Sequence, residues 1–236
     1  MADSGNWLGK ELRHLKDPIG PAEDMGKREP IRMVTFFLVV TAIQVIDFAI
    51  RHRLGFAISQ KSISTIVTDA VDYGALLMFA VLGILALITI FNSERQTPRY
   101  AMPVMLAYLI LASIGVALTL GVLIGSSNLH NEKVVSLIIL VALFYLSTTL
   151  MFSLWYQLAN SYLKGGAIVF PPNAAHPNDP PRWFDYCFLS FNSNSTFGPT
   201  VEEITTRPAK AIMMVQVSIS ITILIVAIAR ISSAAH

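Results

Sequence analysis

The sequence predicts an all-α integral membrane protein with five transmembrane helices and one re-entrant pore helix and loop between the fourth and fifth helices. Composition is the first reason: of the 236 residues, 54% are hydrophobic and 14% are charged, whereas soluble domains carry about 25% charged residues. The second reason is a set of apolar segments that are long enough, or nearly so, to cross a bilayer as helices. These segments are 33–50, 70–91, 101–124, 134–163 and 211–229.

A short apolar run is the third reason. Residues 183–191 form a largely apolar stretch that is less than half of the roughly 20 residues a crossing requires. An uncharged polar segment, 192–200, separates this run from the last long helix. We therefore predict a half-membrane helix over 183–191 and a non-helical loop over 192–200. Irregular backbone at membrane depth is tolerated only where protein buries it or water wets it, so the loop predicts a cavity.

Charge and residue counts exclude several classes of protein. The net charge of +2 is too small to indicate a nucleic-acid partner. A single cysteine, Cys187, excludes an intrachain disulfide, and the histidines lack the spacing of metal ligands. The sequence offers no nucleophile paired with a base and no phosphate-binding loop. We expect no enzyme activity, no cofactor and no metal site.

The chain divides into three regions. Residues 1–32 form a polar N-terminal tail, residues 33–125 a three-helix membrane bundle, and residues 133–231 a pore-like module of helix, re-entrant loop and inner helix. Within the bundle, segment 51–69 is too polar to cross and is expected at the membrane surface. The tail is either an interfacial helix or a solvated segment. The helical alternative depends on the spacing of Trp7, Leu8, Leu12 and Leu15.

The distribution of Lys and Arg predicts the orientation in the membrane. With the N-terminus in the cytoplasm, 12 of the 17 basic residues lie on the cytoplasmic side, in the tail and in segments 92–100 and 164–210. Basic residues near the crossings favour the cytoplasm. The re-entrant loop is therefore expected to enter from the cytoplasmic side, unless segment 51–69 crosses as a sixth helix.

Four short motifs follow one another in the last third of the chain: Ser190-Phe191, Thr196-Phe197-Gly198-Pro199-Thr200, Thr205-Thr206-Arg207-Pro208 and Ala229-Arg230. In this order they resemble the pore helix, filter and inner helix of the tetrameric potassium-channel superfamily, over about 50 of the 236 residues. The resemblance implies a homotetramer that conducts ions across a membrane.

A wider likeness extends upstream. The fourth helix ends in aromatic residues and a Gly-Gly pair, a pattern that resembles an uncharacterised family of bacterial inner-membrane proteins. The residues are Trp155, Tyr156, Tyr162, Gly165 and Gly166. This likeness implies an integral protein of the bacterial inner membrane and supports the architecture more than any activity.

The filter-like segment departs from the potassium-channel pattern. A potassium filter aligns backbone carbonyls toward the ion, and its glycines permit the left-handed backbone angles that this needs. Here Gly198 is the single glycine, Pro199 holds its φ near about −65° and has no N–H, and Thr200 is β-branched. We expect weak selectivity instead of a potassium filter.

Uncharged polar side chains could form the ion path instead. In a fourfold assembly, the hydroxyl and amide groups of 192–196 would form stacked rings of dipoles that hold partly hydrated monovalent ions. The alternative is that these side chains satisfy one another in a closed, non-conducting core. The candidate filter-like residues are Asn194, Ser195, Thr196, Phe197, Gly198, Pro199 and Thr200.

Two acidic residues follow the filter-like segment. Four copies of Glu202 and Glu203 would form an acidic ring that concentrates cations at a pore mouth. Alternatively, the two carboxylates pair with Arg207 and Lys210 about one turn away.

The last helix carries two polar stripes. Gln216 and Ser220 are i, i+4 neighbours, as are Ser218 and Thr222, in a segment otherwise rich in Ile and Val. Such stripes are typical of a pore-lining helix. Hydroxyl groups in membrane helices also bond back to carbonyls of their own helix, which leaves both interpretations open.

An acidic residue lies inside the first predicted crossing. Asp47 precedes Arg51 by four residues, and Asp69 and Asp72 begin the second crossing. An intramembrane acid indicates a functional site, such as a proton-coupled or ion-coupled one. Neutralisation by Arg51 and Arg53 is the alternative.

Three hypotheses about function follow. The first is an oligomeric, channel-like protein with weakly selective conduction through a pore built from 183–200 and the last helix. The second is a non-conducting membrane scaffold or partner subunit that retains only this fold. The third, a proton-coupled transporter, is disfavoured because inverted repeats are not visible and the number of crossings is odd.

Overall fold

The computed structural model of the protein describes residues 31–55, 63–91, 101–125, 134–163, 166–171, 181–199 and 201–234. The interfacial helix predicted in the N-terminal tail lies outside these residues. The described helices are α1 (Met33–Gly55), α2 (Ile63–Phe91), α3 (Ala101–Gly125), α4 (Val134–Tyr162), α5 (Trp183–Thr196) and α6 (Arg207–Ala234). Two short strands, β1 (Ile168–Val169) after α4 and β2 (Glu203–Ile204) before α6, pair antiparallel. We call this pair of strands the hairpin, although α5 lies between them in the sequence.

Five of these helices are long and apolar enough to cross a membrane: α1, α2, α3, α4 and α6. This confirms the predicted all-helical chain with five membrane-length helices. The shortest of the five has 23 residues, about 34 Å at 1.5 Å per residue, which exceeds a hydrocarbon core of about 30 Å. In contrast, α5 has 14 residues and a length of about 21 Å.

Large apolar side chains cover the outside of the bundle. Leu38, Phe48 and Leu77 are each more than half exposed. A surface of this composition is typical of helices that face lipid, where apolar side chains need no cover. The exposed apolar surface therefore agrees with the membrane class that the composition predicts.

The expectation that segment 51–69 is too polar to cross and lies at the membrane surface stays a prediction: the candidate spans end at Arg53 and begin again at Ala70, so most of the segment lies outside them. Helix α1 continues to Gly55, and α2 begins at Ile63. The guanidinium of Arg51 forms an ion pair with the carboxylate of Asp72 on α2, and this contact lets both polar helix ends pack side by side. A separate sixth crossing is excluded because the intervening residues 56–62 are too few to span a bilayer.

Side-chain contacts fix the direction of each helix. Phe37 of α1 stacks on Phe79 of α2 with ring centroids 5.3 Å apart, while Arg51 meets Asp72, so α1 and α2 are antiparallel. At the far end of α6, the guanidinium of Arg230 donates to the carbonyls of Leu123 and Ile124 at the end of α3.

Two ends of the bundle follow from these directions. The hairpin end contains β1, β2, the start of α1, the end of α4 and the start of α6. The opposite end contains the end of α1, the start of α2, the end of α3 and the end of α6. Helix α4 contacts α1, α3, α5 and α6, so it forms the centre of the bundle.

The two ends should lie on opposite sides of the membrane. Lys210 at the start of α6 and Arg53 near the end of α1 are both exposed and mark the hairpin end and the opposite end. We predict that, in a Cys187→Ser background, a membrane-impermeant thiol reagent labels Arg53→Cys in intact cells and labels Lys210→Cys only after lysis, because the basic residues favour a cytoplasmic hairpin end. The reverse pattern would contradict the cytoplasmic placement, and labelling of both in intact cells would contradict the helix directions.

Candidate functional site

Helix α5 is longer than predicted. The prediction that residues 192–196 are non-helical is wrong, because the helix continues to Thr196. Asn, Ser and Thr have low helix propensity. In α5, the hydroxyls of the last Ser and Thr residues bond to carbonyls of the same helix. Ser195 Oγ donates to the Phe191 carbonyl at 2.9 Å, and Thr196 Oγ1 donates to the Asn192 carbonyl at 2.8 Å. Contacts with neighbouring helices, described below, outweigh the local propensity.

Both ends of α5 have identifiable causes. At the start, the Asp185 carboxylate accepts a hydrogen bond from the Arg182 backbone N–H at 2.6 Å, which places an acid in the first turn, where the helix dipole favours it. At the end, Phe197 adopts a left-handed backbone with φ of 58°. Glycine is the usual residue there, since a side chain makes that conformation cost roughly 1–2 kcal/mol. The left-handed position therefore falls on Phe197 and not on Gly198.

Helix α5 runs antiparallel to α4 and ends beside its middle. Near the start of α5, the Tyr186 hydroxyl accepts a hydrogen bond from Asn160 Nδ2, close to the end of α4, at 2.7 Å. Near the other end, Asn194 Nδ2 donates to Thr149 Oγ1 at 2.7 Å. Thr149 lies in the middle of α4. The chain then returns from the tip of α5 to β2 at the hairpin end.

Asn160 ties the hairpin to this arrangement. Its side-chain oxygen accepts hydrogen bonds from the backbone N–H groups of Ala167 at 2.7 Å and Ile168 at 3.0 Å. The left-handed Gly166, with φ of +81°, turns the chain so that these two groups face the amide, and a Cβ there would lie 3.0 Å from its oxygen. One amide thus positions both the strand β1 and the start of α5.

A buried polar cluster joins α5 to both long helices of the module. We call it the Gln216 cluster. It consists of Thr149 and Tyr156 from α4, Ser190 and Asn194 from α5, and Gln216 and Ser220 from α6. All six side chains are buried, and Gln216, Tyr156 and Ser190 have no exposed surface. Its members come from three helices, so the cluster fixes the position of α5 between α4 and α6.

The Gln216 amide is the centre of this cluster. Its oxygen accepts a hydrogen bond from the Tyr156 hydroxyl at 2.6 Å. Its nitrogen has three acceptors, the Ser190 carbonyl at 2.8 Å, the Ser190 hydroxyl at 2.9 Å and the Asn194 side-chain oxygen at 2.8 Å. The amide has two N–H donors, so these three acceptors share them.

The remaining polar atoms of the cluster are also paired. Ser220 Oγ donates to the side-chain oxygen of Asn194 at 2.6 Å. Ser190 Oγ donates to the Thr149 carbonyl at 2.8 Å, and Thr149 Oγ1 donates to the Tyr145 carbonyl at 2.8 Å. Because burying an unpaired polar group costs free energy, a cluster with this many partners favours one arrangement of the three helices.

The filter-like residues divide into a buried and an exposed group. Asn194 is buried in the Gln216 cluster. The side chains of Ser195, Thr196 and Phe197 are exposed at the tip of α5, and Gly198 and Pro199 are half-buried. Thr200 lies outside the described residues. The structure therefore brings the exposed members together at the tip, while Asn194 faces the interior of the same chain.

The two polar stripes of α6 also separate. Gln216 and Ser220 face α5 inside the chain. Ser218 is exposed and Thr222 is half-buried, and their hydroxyls donate to carbonyls four residues earlier, those of Met214 and Ser218, both at 2.8 Å. Of the four residues predicted to line a pore, Ser218 is the one with an exposed side chain.

The acidic pair differs in exposure. Glu202 is 7% exposed, whereas Glu203 in β2 is exposed and lies opposite Val169 of β1. Only Glu203 therefore presents its carboxylate at the surface of the hairpin end.

Sequence reasoning missed the α4 side of the site. Thr149 and Tyr156 are essential members of the Gln216 cluster, and Asn160 holds the hairpin. The signal was the polar run Ser147-Thr148-Thr149, which interrupts an apolar helix and whose members are all buried. A buried hydroxyl run in a membrane helix indicates contacts with other helices.

The described side chains of the site are hydroxyl and amide groups. Among the described residues, no group of three or more His, Cys, Asp or Glu side chains could hold a metal ion. Burial raises the pKa of the half-buried Cys187 thiol. The chemistry of the site is hydrogen bonding by neutral groups.

Replacing Gln216 should loosen the module. We predict that Gln216→Leu lowers the free energy of unfolding in lipid or detergent by about 2 kcal/mol, because the side chain has four hydrogen-bond partners and such bonds between membrane helices average about 0.6 kcal/mol each. Ser218→Ala, on the exposed face of the same helix, serves as the matched control and should change stability by less than about 0.5 kcal/mol. Equal stability of the two variants would contradict the central role of Gln216.

The chain matches no protein-family model, no curated protein and no solved structure.

Proposed function

We propose that the protein is a homo-oligomeric, channel-like membrane protein in which residues 183–200 form a re-entrant loop. In this proposal the loop and the last helix line a weakly selective path for monovalent ions across the bilayer. The single observation that supports it most is the tip of α5, where a helix ends beside the middle of two membrane-length helices with exposed polar groups.

The exposed groups at the tip require a cover other than lipid. The exposed hydroxyls of Ser195 and Thr196 already donate to carbonyls of their own helix, so the groups that need partners are the last carbonyls of α5, which have no next turn of helix to bond to. Each unsatisfied polar group in hydrocarbon costs several kcal/mol. Further copies of the chain arranged around the tip, with water inside the ring, would satisfy these groups.

The face of α5 that leads to the tip favours association between copies. Phe184, Phe188 and Phe191 are 70%, 47% and 51% exposed, and their spacing places them on one side of the helix. A neighbouring copy packed on this aromatic face would bring the polar tips of several chains toward a common axis. The resemblance to the tetrameric potassium-channel superfamily makes four copies the preferred number.

Fewer of the predicted residues are available to line the proposed path than the sequence indicates. Ser195, Thr196 and Phe197 of the tip and Ser218 of α6 are available for it, whereas Asn194, Gln216 and Ser220 are engaged inside the chain. Thr222 is half-buried and is a marginal candidate. Exposed Glu203, in four copies, would form an acidic ring at the mouth. Hydroxyl oxygens without a carbonyl ladder bind partly hydrated ions, which supports weak selectivity.

A non-conducting scaffold or partner subunit is the second candidate, and a specific observation favours it. The Gln216 cluster satisfies the polar side chains of α5 largely within one chain, as expected of a closed core. In that case the exposed tip would be covered by a different membrane protein. The two candidates share the fold and differ in whether water reaches the tip.

Both candidates place the protein in a lipid bilayer. The five membrane-length helices support that location, and the likeness to bacterial inner-membrane proteins makes the inner membrane the proposed compartment. No nucleic acid or cofactor has a role in either candidate.

The oligomer can be tested by cross-linking. We predict that Phe188→Cys, in a Cys187→Ser background, forms covalent dimers in membranes on oxidation, and that native mass analysis gives a tetramer. Leu77→Cys on α2, which is also exposed but far from α5, is the matched control and should not cross-link. A monomer in lipid nanodiscs would contradict the oligomeric proposal.

Conduction can be tested with the purified protein in planar bilayers. We predict discrete current steps with a potassium-to-sodium preference far below the roughly 100-fold of a carbonyl filter, because the tip lacks the glycines that such a filter needs.

A cationic thiol reagent should reduce the current of Ser195→Cys. It should leave unchanged the current of Thr89→Cys on α2, a control hydroxyl position outside the module, also in the Cys187→Ser background. Silence of a verified tetramer would favour the scaffold, and strong potassium selectivity would contradict the argument from the backbone.

A further inference from the structure

A small pocket with a carboxyl group lies at the opposite end of the bundle, between α1, α3 and α4. Asp47, Arg51 and Thr119 are its polar lining residues, and the rest of the lining is apolar. The cavity has a volume of about 10 Å³, which is room for about one water molecule. This pocket is separate from the tip of α5, and the inference about it does not depend on the proposed ion path.

Asp47 lies within the membrane-spanning part of α1. It precedes Arg53, the end of the candidate span, by six residues, which places its Cα about 9 Å inside that end of the span. Its Oδ1 accepts a hydrogen bond from the hydroxyl of Ser147 on α4 at 2.7 Å, and Ser147 is 1% exposed. The carboxyl group is therefore held in a fixed place by a neighbouring helix.

The charges around Asp47 do not balance. Arg51, one turn after Asp47, forms its ion pair with Asp72 of α2. The described charged side chains of this cluster are thus the carboxylates of Asp47 and Asp72 and the guanidinium of Arg51. With both carboxylates ionised, the cluster carries a net negative charge inside the membrane, and such a charge is costly there.

The neighbouring helices supply no second cation among their described side chains near Asp47. Helix α3 contributes Thr119 and the fully buried Tyr108, whose hydroxyl accepts a hydrogen bond from Gln44 Nε2 at 3.1 Å. Helix α4 contributes Ser147 and Phe144. All four of these residues are neutral at ordinary pH. Arg53, at the end of α1, is exposed and does not line the pocket. Within the described lining of the pocket, a bound proton or cation would therefore offset the second carboxylate.

The lining determines which ligand fits. A metal cation needs several oxygen ligands to replace its hydration shell, but Ile50, Val116 and Phe144 make up much of the wall and Arg51 repels a cation. A proton needs no shell of ligands. Thr119 Oγ1 donates to the Gly115 carbonyl at 2.9 Å, so its lone pairs remain able to accept from a water molecule.

We propose that Asp47 is a proton-binding site, in which the carboxyl group takes up one proton and a single water molecule in the adjoining pocket links it to Thr119. Protonation leaves one carboxylate, that of Asp72, to attract Arg51, and deprotonation leaves two. The contact between α1, α2 and α4 at this end of the bundle therefore depends on pH.

Infrared difference spectroscopy of the protein in lipid tests this directly, because a protonated carboxyl group has its own carbonyl stretching band. We expect the wild-type protein to show such a band well above pH of about 4, where an ordinary aspartate is ionised. Asp47→Asn should remove the band. Glu203→Gln, which changes an exposed carboxylate at the hairpin end, is the control and should retain it.

Two further measurements keep the proposal testable if Asp47→Asn fails to fold. Ser147→Ala removes a hydrogen bond that favours the ionised carboxylate, so the band should persist to higher pH by about one pH unit. Replacing sodium with choline in the buffer should leave the band of the wild-type protein unchanged. Absence of a protonated band, its persistence in a folded Asp47→Asn variant, no change in Ser147→Ala, or suppression of the band by sodium would each overturn the proposal.

Discussion

The amide of Gln216 is the interaction on which the arrangement of the module depends. It lies where α4, α5 and α6 present polar groups to each other, and it contacts two of these helices from the third. Apolar side chains cannot replace this link easily. Lipid tails are as apolar as leucine, so burying Leu189 or Leu154 between helices brings packing but little hydrophobic gain. Hydrogen bonds of about 0.6 kcal/mol each then decide which of several packed arrangements the short helix adopts.

The same interaction separates two parts of α5. From Tyr186 to Asn194 one face of the helix is bonded to α4 and α6, and that face is fixed. Beyond Asn194 the exposed side chains bond to their own helix, and the chain leaves through a left-handed Phe197. Strained backbone of this kind persists where the surroundings hold it in place. Any rearrangement of the tip would therefore involve the residues after Asn194 and would leave the rest of α5 in position.

The sequence predicted the membrane helices well because their signal is length and hydropathy, which a single chain carries in full. It also identified Gln216 with Ser220, and Ser218 with Thr222, as two stripes of the last helix. It could not tell which stripe faces outward, because periodicity gives the faces of a helix but not the neighbours of each face. The end of α5 was misplaced for a related reason. Asn192 to Thr196 indicate a loop by local propensity, whereas the partners of Asn194, which hold this stretch against α4 and α6, come from distant parts of the chain.

The length of the return segment has a mechanical consequence. The tip of α5 lies about 21 Å from the start of the helix, and the chain from Thr196 to Glu203 contains seven residue steps, which reach at most about 23–25 Å when fully extended. The left-handed turn at Phe197 keeps the segment shorter than this limit, so its length is close to the depth it has to cover. The length of this segment therefore limits how deeply the short helix extends between α4 and α6. Shortening it by one residue would lift the tip or break the pairing of β2 with β1, whereas lengthening it would free the tip from the hairpin.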